Sequence, residues 1–385
     1  MISPEARDLF PLKENAVYLN HGGFGVTPRG VMAARAAIAQ EIEQAPSPFF
    51  VHEYRAKWNS IAACVATRLG VAADSLALVD NVTDGINAVL RAVPFKPGDE
   101  ILTTSTTYGA IDLAAEHIAH RQGANVAHMP IPFPNPSREG CIDALQTALT
   151  PRTRLAILDH VTSSTALVLP IAEMARICRE RGVAVVVDGA HAPGNVALDI
   201  SSIPADWYVA NLHKWYFVPR GCGFLWAAPG RRDGLVPNVL SWDIKREFPH
   251  SFEWKGTRDP SAWLSIPAAF AFMDKFGEES VRVHNHGLVR QGMALLCEAW
   301  KVRVDTPDCM IGSMGLVPLP DDIPYATDEE SRVKLQKRLW EGFGIEVSPS
   351  FSHDGTIWLR FSAQIYNSLA DYEKLARAIA ALRSA

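Results

Sequence analysis

The chain's 385 residues, 48% hydrophobic and 21% charged, have ordinary globular composition and enough length for a large domain with a smaller one attached. A net charge of −5 without any basic block gives no basis for binding nucleic acid or an anionic membrane surface, so a small-molecule partner is expected. Six scattered cysteines with no CxxC pair read as reduced thiols, and no basic-then-apolar start or long apolar run occurs, so a cytoplasmic protein is expected rather than an exported or membrane-inserted one.

Taken in order, residues 17–19 form a short apolar segment that runs into Asn20-His21-Gly22-Gly23-Phe24-Gly25, where glycines let the backbone approach a ligand closely. Residues 31–44 read as an alanine-rich helix ended by Ala-Pro-Ser-Pro, and an amphipathic helix within 49–70 closes at Gly70. A strand is predicted over 76–79, after which Asp80-Asn81-Val82-Thr83-Asp84-Gly85 opens a helix. N–H groups at a helix start hold phosphate, and the Thr83 hydroxyl adds a donor there; the plainer role of that turn is a helix cap. Further strands are predicted over 100–104 and 155–159, followed by Thr107-Tyr108-Gly109 and by His160-Val161-Thr162-Ser163. A helix over 171–182 then leads into VAVVV at 183–187, an apolar, β-branched run that suits a strand buried on both faces. That run stops at Asp188, and the carboxyl end of such a strand is where open α/β sheets bind ligands. A second apolar run, 207–210, leads into Asn211-Leu212-His213-Lys214, so a lysine follows a second strand end. An amine able to form a Schiff base and a carboxylate able to keep a pyridine nitrogen protonated are the two requirements of pyridoxal phosphate. After Trp226 the alternation weakens. Helices are predicted near 261 and over 280–300, short strands near Val302, Leu316 and Glu346, a strand-like alternation from Thr356, and a terminal helix from Ser368.

The pattern DGAH…NLHKW…RGCGFLW resembles the class V aminotransferase family of fold-type I pyridoxal-phosphate enzymes, most of all its isopenicillin N epimerase-like branch. The resemblance implies an α/β fold: a large cofactor domain over 15–260 with a mostly parallel central sheet, and a smaller C-terminal α+β domain over 261–385 that also takes 1–14. It implies pyridoxal 5'-phosphate as cofactor, and a homodimer with shared active sites. Lys214 would hold the cofactor and move the Cα proton, and Asp188 would keep the ring nitrogen cationic. Val82, Thr83, Asn211 and His213 would surround the phosphate, with Thr257 of the Gly256-Thr257 loop reaching the neighbouring subunit's phosphate. Tyr108 would stack on the ring. Either Thr162 or Ser163 would bond the phenolic oxygen, which His191 also reaches unless it approaches the substrate. Asn20 and His21 would contact substrate, Arg55 is a weaker candidate for the same role, and Arg360 would bind the substrate carboxylate through its planar fork.

These residues describe an enzyme acting at the α-carbon of an amino acid. The segment before Arg360, residues 345–355, holds no cysteine, whereas desulfurases of the family carry their catalytic cysteine there, so persulfide-forming chemistry is not expected. Resemblance to the epimerase-like branch points to epimerisation. A C–S β-lyase or an aminotransferase is the alternative, and a non-catalytic binding protein with the same fold the remote one. An epimerase needs a second acid opposite Lys214, for which Tyr108, His191 and His21 are open choices.

Overall fold

The computed structural model describes residues 4–383. Its strands are, in chain order, β1 (Val17–Tyr18), β2 (Leu76–Val79), β3 (Glu100–Thr104), β4 (Asn125–Met129), β5 (Thr153–Asp159), β6 (Ala184–Asp188), β7 (Trp207–Asn211), β8 (Gly223–Ala227), β9 (Met314–Pro318), β10 (Ile345–Glu346), β11 (Ser348–His353) and β12 (Thr356–Ser362). The large sheet has the order β2-β8-β7-β6-β5-β3-β4. The pairs from β7 through β4 are parallel, and β8 runs antiparallel to both of its neighbours.

The central strands are covered on both faces, as apolar runs without alternation require. Leu155, Ile157, Val186 and Val209 join one core, while Ala156, Leu158, Val185 and Val187 join the other. Helices Val82–Ala92 and Gly109–Gln122 cover the first face; Tyr54–Leu69, Ile171–Glu180 and Ile266–Phe276 cover the second. In helix Val82–Ala92 the buried Val82, Ile86, Val89 and Leu90 fall on one stripe. The Asn81 side chain caps it by accepting the Asp84 N–H at 3.0 Å. This cap aims the helix start at the carboxyl ends of the strands.

A smaller antiparallel sheet, β11-β12-β9, packs with helices Glu278–Trp300, Glu329–Phe343 and Leu369–Arg383 around a separate core that includes Leu296, Leu335, Leu359 and Phe361. The expected boundary at 260 does not match the division of the cores. Trp263, Ile266, Phe270 and Met273 pack back onto the large sheet's core, as do Val281 and Met314 further on, so no single position divides the two cores. The N-terminal assignment is also reversed: Ala6 and Phe10 pack in the large core, while Val17 and Leu19 belong to the smaller one. The cause is long-range pairing, since β1 runs parallel to β10 with Val17 opposite Ile345. The short strand expected near Val302 does not form; that segment is irregular and pairs with no strand. No helix among the described residues is long and apolar enough to cross a membrane.

Candidate active site

A cavity of about 550 Å³ lies at the carboxyl ends of β5, β6 and β7, where Asp159, Asp188 and Asn211 end their strands. Asp188 accepts the Ala190 N–H at 2.9 Å. Asp159 stands opposite it in register and accepts the Thr104 hydroxyl at 3.0 Å. Paired residues on adjacent strands present their side chains to the same side, about 5 Å apart, so two buried carboxylates share one wall. Burial, followed by the charge of Asp188, pushes Asp159 well above the usual carboxylate range. Burial also raises Asp188, against the opposing Ala190 N–H and the Lys214 charge. The lysine's pull acts on Asp188, so of the two Asp159 is the more readily protonated.

Lys214 follows β7 and is half-buried, with Nζ 3.0 Å from His191 Nε2. Burial lowers its ammonium to about 7; the Arg360 charge adds to that shift and Asp188 opposes it. Burial likewise drives His191 well below the ordinary imidazole range, with Lys214 and Arg360 contributing. With the lysine donating to Nε2, the neutral ring carries its hydrogen on Nδ1. That Nδ1 is buried and has no hydrogen-bond partner.

Arg360 projects from β12, donating from Nη1 to the Ser163 carbonyl and from Nη2 to Asn20 Oδ1 at 3.1 Å. Its Nε has no partner. Burial alone lowers its pKa to about 10, with no carboxylate opposing.

The cavity therefore brings together Asn20, Val82, Thr83, Tyr108, Ser163, Asp188, His191, Asn211, His213, Lys214 and Arg360. Other expectations need correction. His21 is fully buried outside the cavity lining, with both ring nitrogens engaged by Tyr366 and the Lys214 carbonyl, so it does not face substrate. Val82 gives its N–H to Asn211 Oδ1 at 3.0 Å, so neither that N–H nor that oxygen is open to a phosphate; the Asn211 amide group is what remains. Thr162 is turned inward onto Thr165 and the Leu167 N–H, which leaves Ser163 as the member of that pair in the cavity. Arg55 points away from it, paired with Asp243 at 2.8 Å and Glu253 at 3.1 Å. Thr257 does not line this chain's cavity. His213 donates from Nδ1 to the Cys222 carbonyl at 3.2 Å, and burial lowers it to about 4. A phosphate dianion beside its other nitrogen would favour the protonated ring.

Sequence reading missed Asp159, Arg220 and Gln336 in the lining. Asp159 carried a usable signal, since it ends an apolar strand just as Asp188 does. Gln336 carried none, because it sits on a helix of the smaller unit that the fold alone brings to the cavity.

The donor set fits pyridoxal phosphate. A buried carboxylate and a half-buried amine of lowered pKa stand at adjacent strand ends, Thr83 lies at a helix start, and the unpartnered Nδ1–H of His191 is available to an anionic oxygen. Tyr108 precedes helix Gly109–Gln122 after β3, three strands from the one that carries Lys214. At about 4.8 Å per strand this leaves roughly 14 Å between the two elements, room for an aromatic ring system.

The chain matches the family described as "Aminotransferase class-V" over residues 47–316. It is similar to an isopenicillin N epimerase of Streptomyces clavuligerus, 33% identical over 98% of each chain. It is also similar to an L-cysteine desulfhydrase of Arabidopsis thaliana, 30% identical over 94% of this chain and 87% of that protein. Among solved structures, the cystine C–S lyase C-DES with cysteine persulfide superimposes with a TM-score of 0.83 at 23% identity, covering 96% of this chain and 99% of the other. A second structure of C-DES holds glycine covalently linked to its PLP cofactor, also at a TM-score of 0.83.

Proposed function

The chain belongs to the class V aminotransferase family, whose members here are pyridoxal-phosphate enzymes, and from that premise we propose that it is an amino-acid β-lyase that cleaves a Cβ–S bond. The observation that carries an amino-acid substrate is Arg360, a buried guanidinium with no carboxylate against it and a free Nε, in the same cavity as Lys214. A buried cation without a counter-charge is costly, and a substrate α-carboxylate removes that cost by bidentate bonding.

When bound, pyridoxal phosphate supplies an electron sink for the pair released at Cα. Asp188 is the carboxylate that would meet its ring nitrogen, and Lys214 the amine that would hold it. Arg360 fixes the substrate carboxylate and so turns the Cα–H bond toward one side. Lys214, whose lowered pKa makes a neutral amine available near pH 7, takes the Cα proton at Nζ. The Cβ–S bond then breaks with its electron pair leaving on sulfur, which is protonated to a thiol or sulfide. Hydrolysis of the three-carbon remainder gives pyruvate and ammonia.

Elimination is favoured over epimerisation by the distribution of acids. His21 is sealed off and His191 lies beside Lys214, so both stand removed from the role of opposing acid. Tyr108 remains, on the far side of β5 and β6 from Lys214, and it supports epimerisation as the second reading. None of the six cysteines lines the cavity, which speaks against a protein persulfide. Holoenzyme incubated with L-cysteine or S-methylcysteine in deuterated water distinguishes these outcomes. Stoichiometric pyruvate and ammonia support the lyase; deuterated substrate of inverted configuration without pyruvate overturns it in favour of the epimerase.

The working form is a homodimer. Asn238 and Lys255 both anchor to Asp84 at the start of helix Val82–Ala92, at 2.7 and 2.8 Å. Between them Val239, Leu240 and Trp242 are exposed, Trp242 at 89%. An apolar patch beside a phosphate-binding helix start is what a second copy carrying its Thr257 loop would cover.

A further inference from the structure

The Asn20-His21 turn borders the cavity through Asn20 and is tied into the protein on both sides. The Leu19 carbonyl accepts the Ser362 N–H at 2.7 Å, and the Gly22 N–H donates to the Ser362 hydroxyl at 3.1 Å. Ser362 lies on β12, the strand that carries Arg360. Between these two ties sits Asn20, buried, with Oδ1 accepting from Arg360 Nη2 at 3.1 Å and Nδ2 donating to Glu346 Oε1 at 3.1 Å. Gln336 Nε2 donates to the same Glu346 oxygen at 2.8 Å. A carboxylate only accepts and a guanidinium only donates, so the amide has one permitted orientation.

One residue later the chain grips the other half of the site. The Lys214 carbonyl can only accept, so His21 donates to it from Nε2 at 2.8 Å, and the Tyr366 hydroxyl donates to Nδ1 at 2.9 Å. Gly25, at φ 67°, presses so closely that a Cβ there would overlap the His213 carbonyl oxygen. The turn is thus clamped between the strand of Arg360 and the backbone of Lys214.

We propose that Asn20, oriented by Glu346, is a positioning residue for Arg360, and that the 19–25 turn holds the carboxylate-binding fork in register with Lys214. The proposal rests on the reading of Arg360 as the substrate-carboxylate group. Without Asn20, Arg360 is held only at Nη1, by the carbonyl and hydroxyl of Ser163, and its fork swings about that point. Carboxylate recognition then weakens while recognition of the amine at Lys214 does not.

The test is a pair of ligands without a leaving group on Cβ, titrated into holoenzyme and followed by the absorbance of the bound cofactor: alanine, and ethylamine, which lacks the carboxylate. Wild-type protein prefers the acid, and Arg360→Leu loses that preference. Asn20→Ala lowers the acid-to-amine preference about tenfold, as expected for one hydrogen bond to a charged group, and leaves the dissociation constant of the amine within about twofold. Asn20→Asp, nearly isosteric, lowers the preference further, because its carboxylate occupies the fork that substrate needs. Wild-type preference in both Asn20 variants, with preference lost in Arg360→Leu, overturns the positioning role and leaves the reading of Arg360 standing. Preference retained in Arg360→Leu overturns the reading of Arg360 and this inference with it.

Discussion

The lowered basicity of Lys214 is open to direct measurement in cofactor-free protein. Its ammonium falls from the ordinary 10.5 to about 7 because burial desolvates it and it faces Arg360, with Asp188 holding it partly up. At about 1.36 kcal/mol per unit, the pocket disfavours the charged amine by roughly 5 kcal/mol. At pH 7 about half of Lys214 would be free amine, on the order of a thousandfold more than an unperturbed lysine. Trace acetylation of the apoprotein between pH 5 and 10, with mass spectrometry of the Lys214 peptide against that of exposed Lys57, reads this as a midpoint near neutrality. Arg360→Leu should raise the midpoint, since it removes a like charge, and Asp188→Asn should lower it. The effect on stability has a defined sign: between about 7 and 10.5 the unfolded chain keeps the proton that the folded chain has released, so this group makes apoprotein stability rise with pH across that window. A Lys214 midpoint in the ordinary lysine range, unmoved by both substitutions, would refute the reasoning.

Asp159→Asn should leave the apoprotein folded and stabilise it increasingly as pH rises above the ordinary carboxylate range. Asp159 has a raised pKa, so its unfolded form loses the proton first and its contribution to stability declines as pH rises, a decline that the amide abolishes; a melting-temperature difference from wild type that is flat with pH counts against a protonated Asp159. Asp188→Asn, in contrast, should loosen pyridoxal phosphate measurably in equilibrium dialysis, whereas Asp159→Asn should not. Gly85→Ala should cost about 1–3 kcal/mol in urea unfolding, because the new Cβ overlaps Val209 Cγ1 on β7 and the gain in helix propensity is smaller than the overpacking; a neutral result would mean that the helix shifts freely on the sheet. Thr257→Ala should weaken cofactor affinity only in the dimer, so a monomer by light scattering that binds cofactor at full strength argues against the shared site.

How much of this was legible depended on whether a residue's role is local. Asp188 and Lys214 could be found because an apolar strand, a turn and a charge are consecutive in sequence, and parallel pairing of β6 with β7 brings the two strand ends together. Thr83 was legible for the same reason, as the start of a capped helix. His21 was not. Its ring is directed by Tyr366, 345 residues away, and by the backbone of Lys214, 193 residues away, and nothing in Asn-His-Gly-Gly records that. The unit boundary failed likewise: Trp263 and Phe270 carry the same apolar signal whether their helices join the second core or return to the first. A short strand was expected near Val302, but a strand also needs an available edge, which only the assembled sheet supplies.

Three of the groups that sequence reading singled out are left partly unsatisfied by the fold. Arg360 is buried with a free Nε and no carboxylate, His191 holds a buried Nδ1 without a partner, and Lys214 is driven toward neutrality. A core assembled for stability alone would pair or exclude such groups, since each unpaired buried donor costs about 1–3 kcal/mol and a buried charge more. A bound anionic cofactor and a substrate carboxylate satisfy them together. The free energy of binding therefore includes the relief of that cost, and by linkage the folded state gains RT ln(1 + [L]/Kd) from each ligand. The order of gain follows from the charges. Cofactor relieves Lys214 and His191, and the carboxylate relieves Arg360, so a simple carboxylic acid should raise the melting temperature of holoenzyme further, and Arg360→Leu should abolish that second increment while keeping the first.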